Sequence, residues 1–119
     1  HVSLTEETHY MMGKRELGMM KETAYLINTA RGKCIDEKAL VKALGNKEIA
    51  GAALDVFENE PFLAPGLTKL NNVVLAPHAG SASIETRTKM ATIAAENLLA
   101  GLEGKMPRYC VSSEVFREA

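Results

Sequence analysis

The sequence predicts an α/β fold, an open parallel sheet with helices on its faces. Three observations predict it. Short apolar runs at residues 25–30, 50–57 and 73–76 are near-continuous, as in strands buried on both sides. Segments with helical spacing separate and follow them, the alternation of a parallel α/β unit. Each run also leads into residues that can carry charge: Arg31 after the first, Asp55 and then Glu60 after the second, His78 after the third. Ligands of an open parallel sheet bind outside the carboxyl ends of its strands. An arginine, two carboxylates and an imidazole are therefore expected at one edge, a set suited to managing protons and charge on a small polar substrate.

Taken in order, the chain opens on His1-Val2-Ser3-Leu4, which reads as a strand end of a chain that starts within a domain, and passes through polar Thr5-Glu6-Glu7-Thr8. Residues 11–21 hold Met12, Leu17, Met19 and Met20 in a short helix weakened by Gly13 and Gly18. Residues 25–30 are a buried strand. Asp36 is an N-cap for a helix with Leu40, Ala43 and Leu44 on one face and Gly45 as its stop. Residues 50–57 are a second strand, whose small side chains leave room for a helix or a ligand close above it. A loop with Pro61, Pro65 and Gly66 follows, then a third strand at 73–76. Ser83 opens the longest helix, to about residue 103, with Ile84, Ala91, Ala94, Leu98 and Leu102 near a 3.6 period and Gly104 at its end. Residues 1–104 read as one compact unit and 105–119, lacking an apolar period, as a C-terminal extended segment.

The totals narrow the function classes. A length of 119 residues with 46% apolar content supports one small core and excludes disorder. A net charge of −1 with interspersed signs offers no basic face for nucleic acid, and 5% aromatics without Trp offer no base-stacking platform. No apolar run approaches the ~20 residues of a membrane span, and residues 1–10 lack the basic start of a signal peptide. Cys34 and Cys110 stand far apart without metal-type spacing, so they read as free thiols in a reducing compartment, and no metal site is expected.

Each chemistry-bearing residue has two readings. Arg31 can grip a carboxylate at two points, with Gly32 allowing close backbone approach, or it is a surface arginine at a strand edge. His78, held between Pro77 and Ala79-Gly80, is suited to giving a proton near neutral pH, or it is a strand-end histidine bonded to backbone. A carboxylate at Glu60 beside an imidazole favours the protonated ring and fixes its orientation; alternatively Glu60 is a solvated loop acid. Asp55 ends a strongly apolar run and needs partners there. A cofactor amide would serve, and so would a helix N-terminus or nearby backbone N–H groups. His9 is expected to be exposed.

Three stretches, Asn28-Thr29-Ala30-Arg31-Gly32, Gly51-Ala52-Ala53-Leu54-Asp55-Val56-Phe57-Glu58-Asn59-Glu60-Pro61 and Pro77-His78-Ala79-Gly80-Ser81-Ala82, resemble the D-isomer-specific 2-hydroxyacid dehydrogenases. The resemblance runs in register from His1 to about Gly104. Val74-Leu75-Ala76-Pro77-His78-Ala79-Gly80-Ser81-Ala82 looks most like the glyoxylate/hydroxypyruvate reductases within that family. Two departures are mild: Ser3 stands where the family usually has proline, and Ala79-Gly80-Ser81 where it commonly has Ile-Gly-Gly or Ile-Gly-Ser.

The resemblance implies part of a Rossmann-like doubly wound parallel sheet, the C-terminal half of a dinucleotide-binding domain. It implies Arg31, Glu60 and His78 as the catalytic trio and Asp55 as the residue that holds the nicotinamide carboxamide. Cofactor contacts would come from Thr29, Ala30, Arg31, Asp55, His78 and Gly80. The parent enzyme would pass a hydride between NAD or NADP and a small 2-keto or 2-hydroxy acid, glyoxylate or hydroxypyruvate, as a cytoplasmic homodimer without nucleic-acid or membrane partners. No Gly-x-Gly-x-x-Gly turn for the pyrophosphate occurs in the sequence, so the chain alone is expected to be inactive. An NAD-sensing corepressor of the same fold and an inactive structural fragment are the other readings.

Overall fold

The computed structural model describes residues 1–116. They divide after Gly80 into two compact units, residues 1–80 and the segment from Ser81 onward.

The first unit is built on a three-stranded parallel sheet of order β1-β2-β3, with β1 at Tyr25–Asn28, β2 at Gly51–Leu54 and β3 at Val73–Leu75. Asn28 stands opposite Leu54, and Leu54 opposite Leu75, so all three strands end on one line. Two helices accompany the sheet. α1 is only Lys14–Gly18, bracketed by the glycines that weaken the longer helix read over 11–21. α2, Glu37–Gly45, starts where its cap dictates, with Asp36 Oδ1 accepting the Ala39 N–H at 3.0 Å. Its apolar stripe of Leu40, Ala43 and Leu44 meets Ala52 and Leu54 of β2, and Leu17, Ile35, Ile49 and Leu67 complete the core. Each fully buried leucine there contributes about 1.5–3 kcal/mol over an exposed one.

The strands are shorter than the apolar runs that carry them. β1 stops at Asn28 because that side chain bonds the following turn, and β2 stops before Asp55, whose carboxylate is taken up by a loop. Within residues 1–80 one face of the sheet is covered and the other is open. Tyr25 and Ile27 of β1 and Val74 of β3 are 70%, 69% and 67% exposed. Ile27, Ala53 and Val74 form one row across the sheet, on a face for which this unit has no covering layer. Near-continuous apolar strands are suited to two covers, and one is supplied within residues 1–80.

In the second unit, Ser83 Oγ accepts the Thr86 N–H at 3.1 Å and caps α3, Ile84–Leu102. Gly104 follows with φ 69°. The helical period is as read, but no residue of α3 is buried; its stripe finds no cover within its own unit. Beyond Gly104 the chain lacks regular structure until a 3-10 turn at Ser113–Phe116. Residues 117–119, the end of the extended segment read from the sequence, lie outside the described residues. Cys34 and Cys110 are free thiols, as expected.

Candidate active site

The Arg31 turn is made by Asn28. Its buried side chain accepts the Ala30 N–H at Oδ1, 3.0 Å, and donates from Nδ2 to the Arg31 carbonyl at 2.9 Å. The Asn28 carbonyl accepts the Asp55 N–H at 2.9 Å, tying the turn to the end of β2. One residue therefore satisfies the chain where two strands end. Arg31 is exposed, with Nη1 donating to the Ala30 carbonyl at 2.6 Å. Thr29 Oγ1 lies 3.3 Å from His1 Nδ1.

The close approach read for Gly32 is to backbone. A Cβ there would sit 1.9 Å from the carbonyl carbon of Phe57, so only glycine lets the Arg31 turn lie against residues 57–58. That segment is anchored from below by Glu37, which is 3% exposed and accepts the Glu58 N–H at Oε1, 2.7 Å. Burial pushes the Glu37 carboxyl above the usual range. From above, the Tyr10 hydroxyl donates to Glu58 Oε1, and this bond to a carboxylate pushes the phenol up to about 12.

Beyond this anchored stretch comes Glu60, joined to Pro61 by a cis peptide bond. Its Oε1 accepts the Phe57 N–H at 3.0 Å, and its Oε2 lies 3.0 Å from His78 Nδ1. The bond to His78, then that to Phe57, holds the Glu60 carboxyl below its ordinary range, and the Arg31 charge adds to the effect. An ionised carboxylate only accepts, so Nδ1 of His78 carries the proton of this contact and Nε2 is left for other chemistry.

His78 sits at φ 52°, a left-handed conformation uncommon for a side-chain-bearing residue. The loop after it folds back on Asp55: the Ala79 N–H donates to Oδ1 at 2.7 Å and the Gly80 N–H to Oδ2 at 2.9 Å. Nearby backbone N–H groups, one of the partners read for Asp55, are supplied by the chain itself. Each of its oxygens keeps a second lone pair for a further donor.

Several depressions lie around these residues. One of about 380 Å³ is walled by Phe57, Pro61, Leu63, Leu75 and Pro77, with Glu60 and His78 at its side. Another of about 480 Å³ is formed by residues 1–4 and 29–31. A third, about 300 Å³, has Ile27, Ala53, Val74, Ala76 and Gly80 as an apolar floor and Asp55 as its carboxylate.

The structure thus joins Glu60 to His78 and Asp55 to Gly80, and holds Arg31 against the same segment that leads to Glu60. Among the described residues Arg31 makes no ion pair with Glu60 or His78. Asn28, Glu37 and Tyr10 were given no role from the sequence. Asn28 had a signal, a polar residue closing an apolar run. Glu37 had none, because an acid after an N-cap reads as an ordinary first-turn residue. His9 is exposed, as read.

Residues 1–80 match the family model described as the D-isomer specific 2-hydroxyacid dehydrogenase, NAD binding domain. A glyoxylate reductase of Thermofilum pendens is 58% identical over 119 residues, which cover 98% of this chain and 35% of the relative. Among solved structures, an NADPH-dependent glyoxylate/hydroxypyruvate reductase from Sinorhizobium meliloti in complex with NADP and malonate is 45% identical, with a TM-score of 0.78 over 81% of this chain and 30% of that one. A glyoxylate reductase from Paecilomyes thermophila is 40% identical, with a TM-score of 0.81 over 89% of this chain and 33% of that one. The chain spans about a third of the length of the curated relatives it matches. With three parallel strands ending on one line, and the family's pattern matched across the whole sheet and the loops that leave it, the chain belongs to the D-isomer specific 2-hydroxyacid dehydrogenases, in their NAD binding domain.

Proposed function

We propose that the whole protein containing this chain is a nicotinamide-dependent oxidoreductase that reduces small 2-keto acids to 2-hydroxy acids, with glyoxylate or hydroxypyruvate as substrate. The observation that carries the reading is the Glu60–His78 contact at 3.0 Å at the edge where the strands end.

The residues fit a nicotinamide. The depression over Ile27, Ala53, Val74, Ala76 and Gly80 has small apolar side chains for a flat ring and one carboxylate, Asp55, with lone pairs to spare for an amide. Thr29, Ala30, Arg31, Asp55, His78 and Gly80 would hold that end of NAD or NADP. The bound cofactor would supply the hydride for the carbonyl carbon. Arg31 binds the substrate carboxylate and polarises the carbonyl. Glu60 holds His78 through Nδ1 and fixes the direction of its ring. His78 then gives the proton at Nε2 to the carbonyl oxygen as negative charge gathers there, completing the alcohol.

The same reading takes residues 1–104 as part of the NAD(P)-binding domain and 105–119 as a C-terminal extension. It also takes the whole enzyme as a homodimer of the cytoplasm, where free thiols such as Cys34 and Cys110 persist. The test is a purified whole protein assayed with NADH and NADPH against glyoxylate and hydroxypyruvate. Consumption of reduced cofactor that depends on keto acid is expected. Cofactor binding without turnover would overturn the reading in favour of a binding protein of the same fold.

A further inference from the structure

We propose that Asp55 is a positioning residue for His78, acting through the backbone of the loop between them and independently of any cofactor. Its two oxygens take the two successive amides after His78, Ala79 N–H at 2.7 Å and Gly80 N–H at 2.9 Å. Consecutive N–H groups that converge in this way form a nest for an anion, and here the anion is a side chain of the protein. Both bonds are charge-assisted. They begin at the residue immediately after His78, whose φ of 52° is costly for a side chain with a Cβ.

The clamp also has a fixed base. The Asp55 N–H is bonded to the Asn28 carbonyl at 2.9 Å, and the His78 N–H to the Ala76 carbonyl at 3.1 Å. The strand ends thus hold both sides of the loop, and the carboxylate closes it. A Cβ on residue 80 would lie 3.2 Å from Oδ2, tighter than an ordinary contact, so the fork fits around glycine. The outcome of this geometry is the direction of the imidazole: Nδ1 at 3.0 Å from Glu60 Oε2. Releasing the fork frees the left-handed turn to relax and swings the ring away from Glu60.

The inference rests on His78 as the proton donor of the proposed reaction only for its kinetic consequence; the structural part stands apart from it. The test is nitrogen NMR of the His78 ring in the whole protein without cofactor, comparing the wild type with Asp55→Asn. An Asn side chain keeps one acceptor but turns its NH2 toward an amide donor. Wild-type His78 should show one tautomer, with the proton on Nδ1. In Asp55→Asn the ring should show mixed tautomers, while the amide shifts of β1, β2 and α2 stay in place. In the whole enzyme the same variant should lose about 10- to 100-fold in kcat at saturating cofactor. An unchanged His78 ring spectrum in the folded variant, with only cofactor affinity lost, would overturn the proposal and leave Asp55 as a cofactor ligand alone. Should the variant fail to fold, hydrogen exchange on the wild type decides: protected Ala79 and Gly80 amides are required, and unprotected ones refute the clamp. Absence of keto-acid turnover in the wild-type enzyme would sink the reaction without altering the NMR result.

Discussion

Glu60 Oε2 and His78 Nδ1 lie 3.0 Å apart although 17 residues separate them, because the loops after β2 and β3 leave the sheet on the same side and meet. The other oxygen of Glu60 is held by the Phe57 N–H, so the carboxylate has one orientation to offer. The pair stands at a sheet edge with both Glu60 oxygens bonded, and its behaviour under substitution and pH follows from those contacts.

Replacing His78 by Ala in the whole enzyme should reduce keto-acid turnover by about 10²–10⁴-fold, the usual worth of a general acid. Cofactor affinity should fall far less than turnover, because the proton is given to the substrate and His78 is only one of several residues at the nicotinamide end. Steady-state kinetics together with a fluorescence titration of NADH separate the two. Near-normal turnover would remove His78 from the reaction.

The Glu60 carboxyl is held below its ordinary value, first by the bond to His78 and then by that to Phe57. A lowered folded-state value gives a contribution that is present above the unfolded value and lost as pH falls through the folded one. Urea titrations of wild type and Glu60→Gln should therefore differ most at neutral pH. The two curves should converge only in acid below the ordinary carboxylate range, as the wild-type carboxyl takes up its proton. A difference that persists unchanged into strong acid would mean that the charge of Glu60 is not what holds the loop.

Glu37 has the opposite sign. Its carboxyl is raised by burial, so its favourable contribution is full below the unfolded value and diminishes as pH rises through the folded one. Glu37→Gln keeps an acceptor for the Glu58 N–H and sheds the buried charge; it should be at least as stable as wild type at pH 7. Glu37→Ala leaves that amide unsatisfied and should cost about 1–3 kcal/mol. Thermal or urea unfolding of the two variants measures both effects, and equal stability of Gln and Ala would show that the Glu58 amide does not depend on residue 37.

Gly32→Ala should be more damaging than its size suggests. The new methyl would overlap the Phe57 carbonyl carbon at 1.9 Å, so backbone must move and the Arg31 turn must part from residues 57–58. A loss of at least about 1–3 kcal/mol is expected. In the amide NMR spectrum the shifts should spread from residue 32 to the Phe57–Glu60 stretch. Changes confined to residues 31–33 would contradict the close approach.

The isolated chain should bind NADH only weakly, with a Kd well above the micromolar range, and should not turn over keto acids. A pyrophosphate is normally held by a glycine-rich turn at a helix N-terminus, and no Gly-x-Gly-x-x-Gly occurs in these 119 residues. Calorimetric titration of the chain with NADH tests this, and micromolar affinity would show that the residues around Asp55 and Arg31 suffice.

Much of the architecture was legible because it is written in local chemistry. Asp36 and Ser83 cap the helices they were expected to cap, since a short oxygen-bearing side chain before an apolar period has few other uses. The strands were placed by their apolar runs, and their convergence by the chargeable residue after each. Strand lengths were less legible. Nothing local says that Asn28 will turn back to bond Ala30 and Arg31 rather than continue β1. What covers Tyr25, Ile27 and Val74 is not legible either, because apolar periodicity records that a face wants burial and not where the covering layer comes from. Glu37 was invisible because its partner, the Glu58 amide, is brought to it by the tertiary fold alone.

The contact between Gly32 and the Phe57 carbonyl has a bearing on how such enzymes can be re-engineered. Backbone touches backbone there, with no side chain between to absorb a mismatch. The turn that presents Arg31 and the loop that presents Glu60 therefore cannot be exchanged one at a time for those of a relative without re-aiming the other. A chimaera that transplants both loops together preserves their gearing; one that grafts a single loop imports a misfit at the seam.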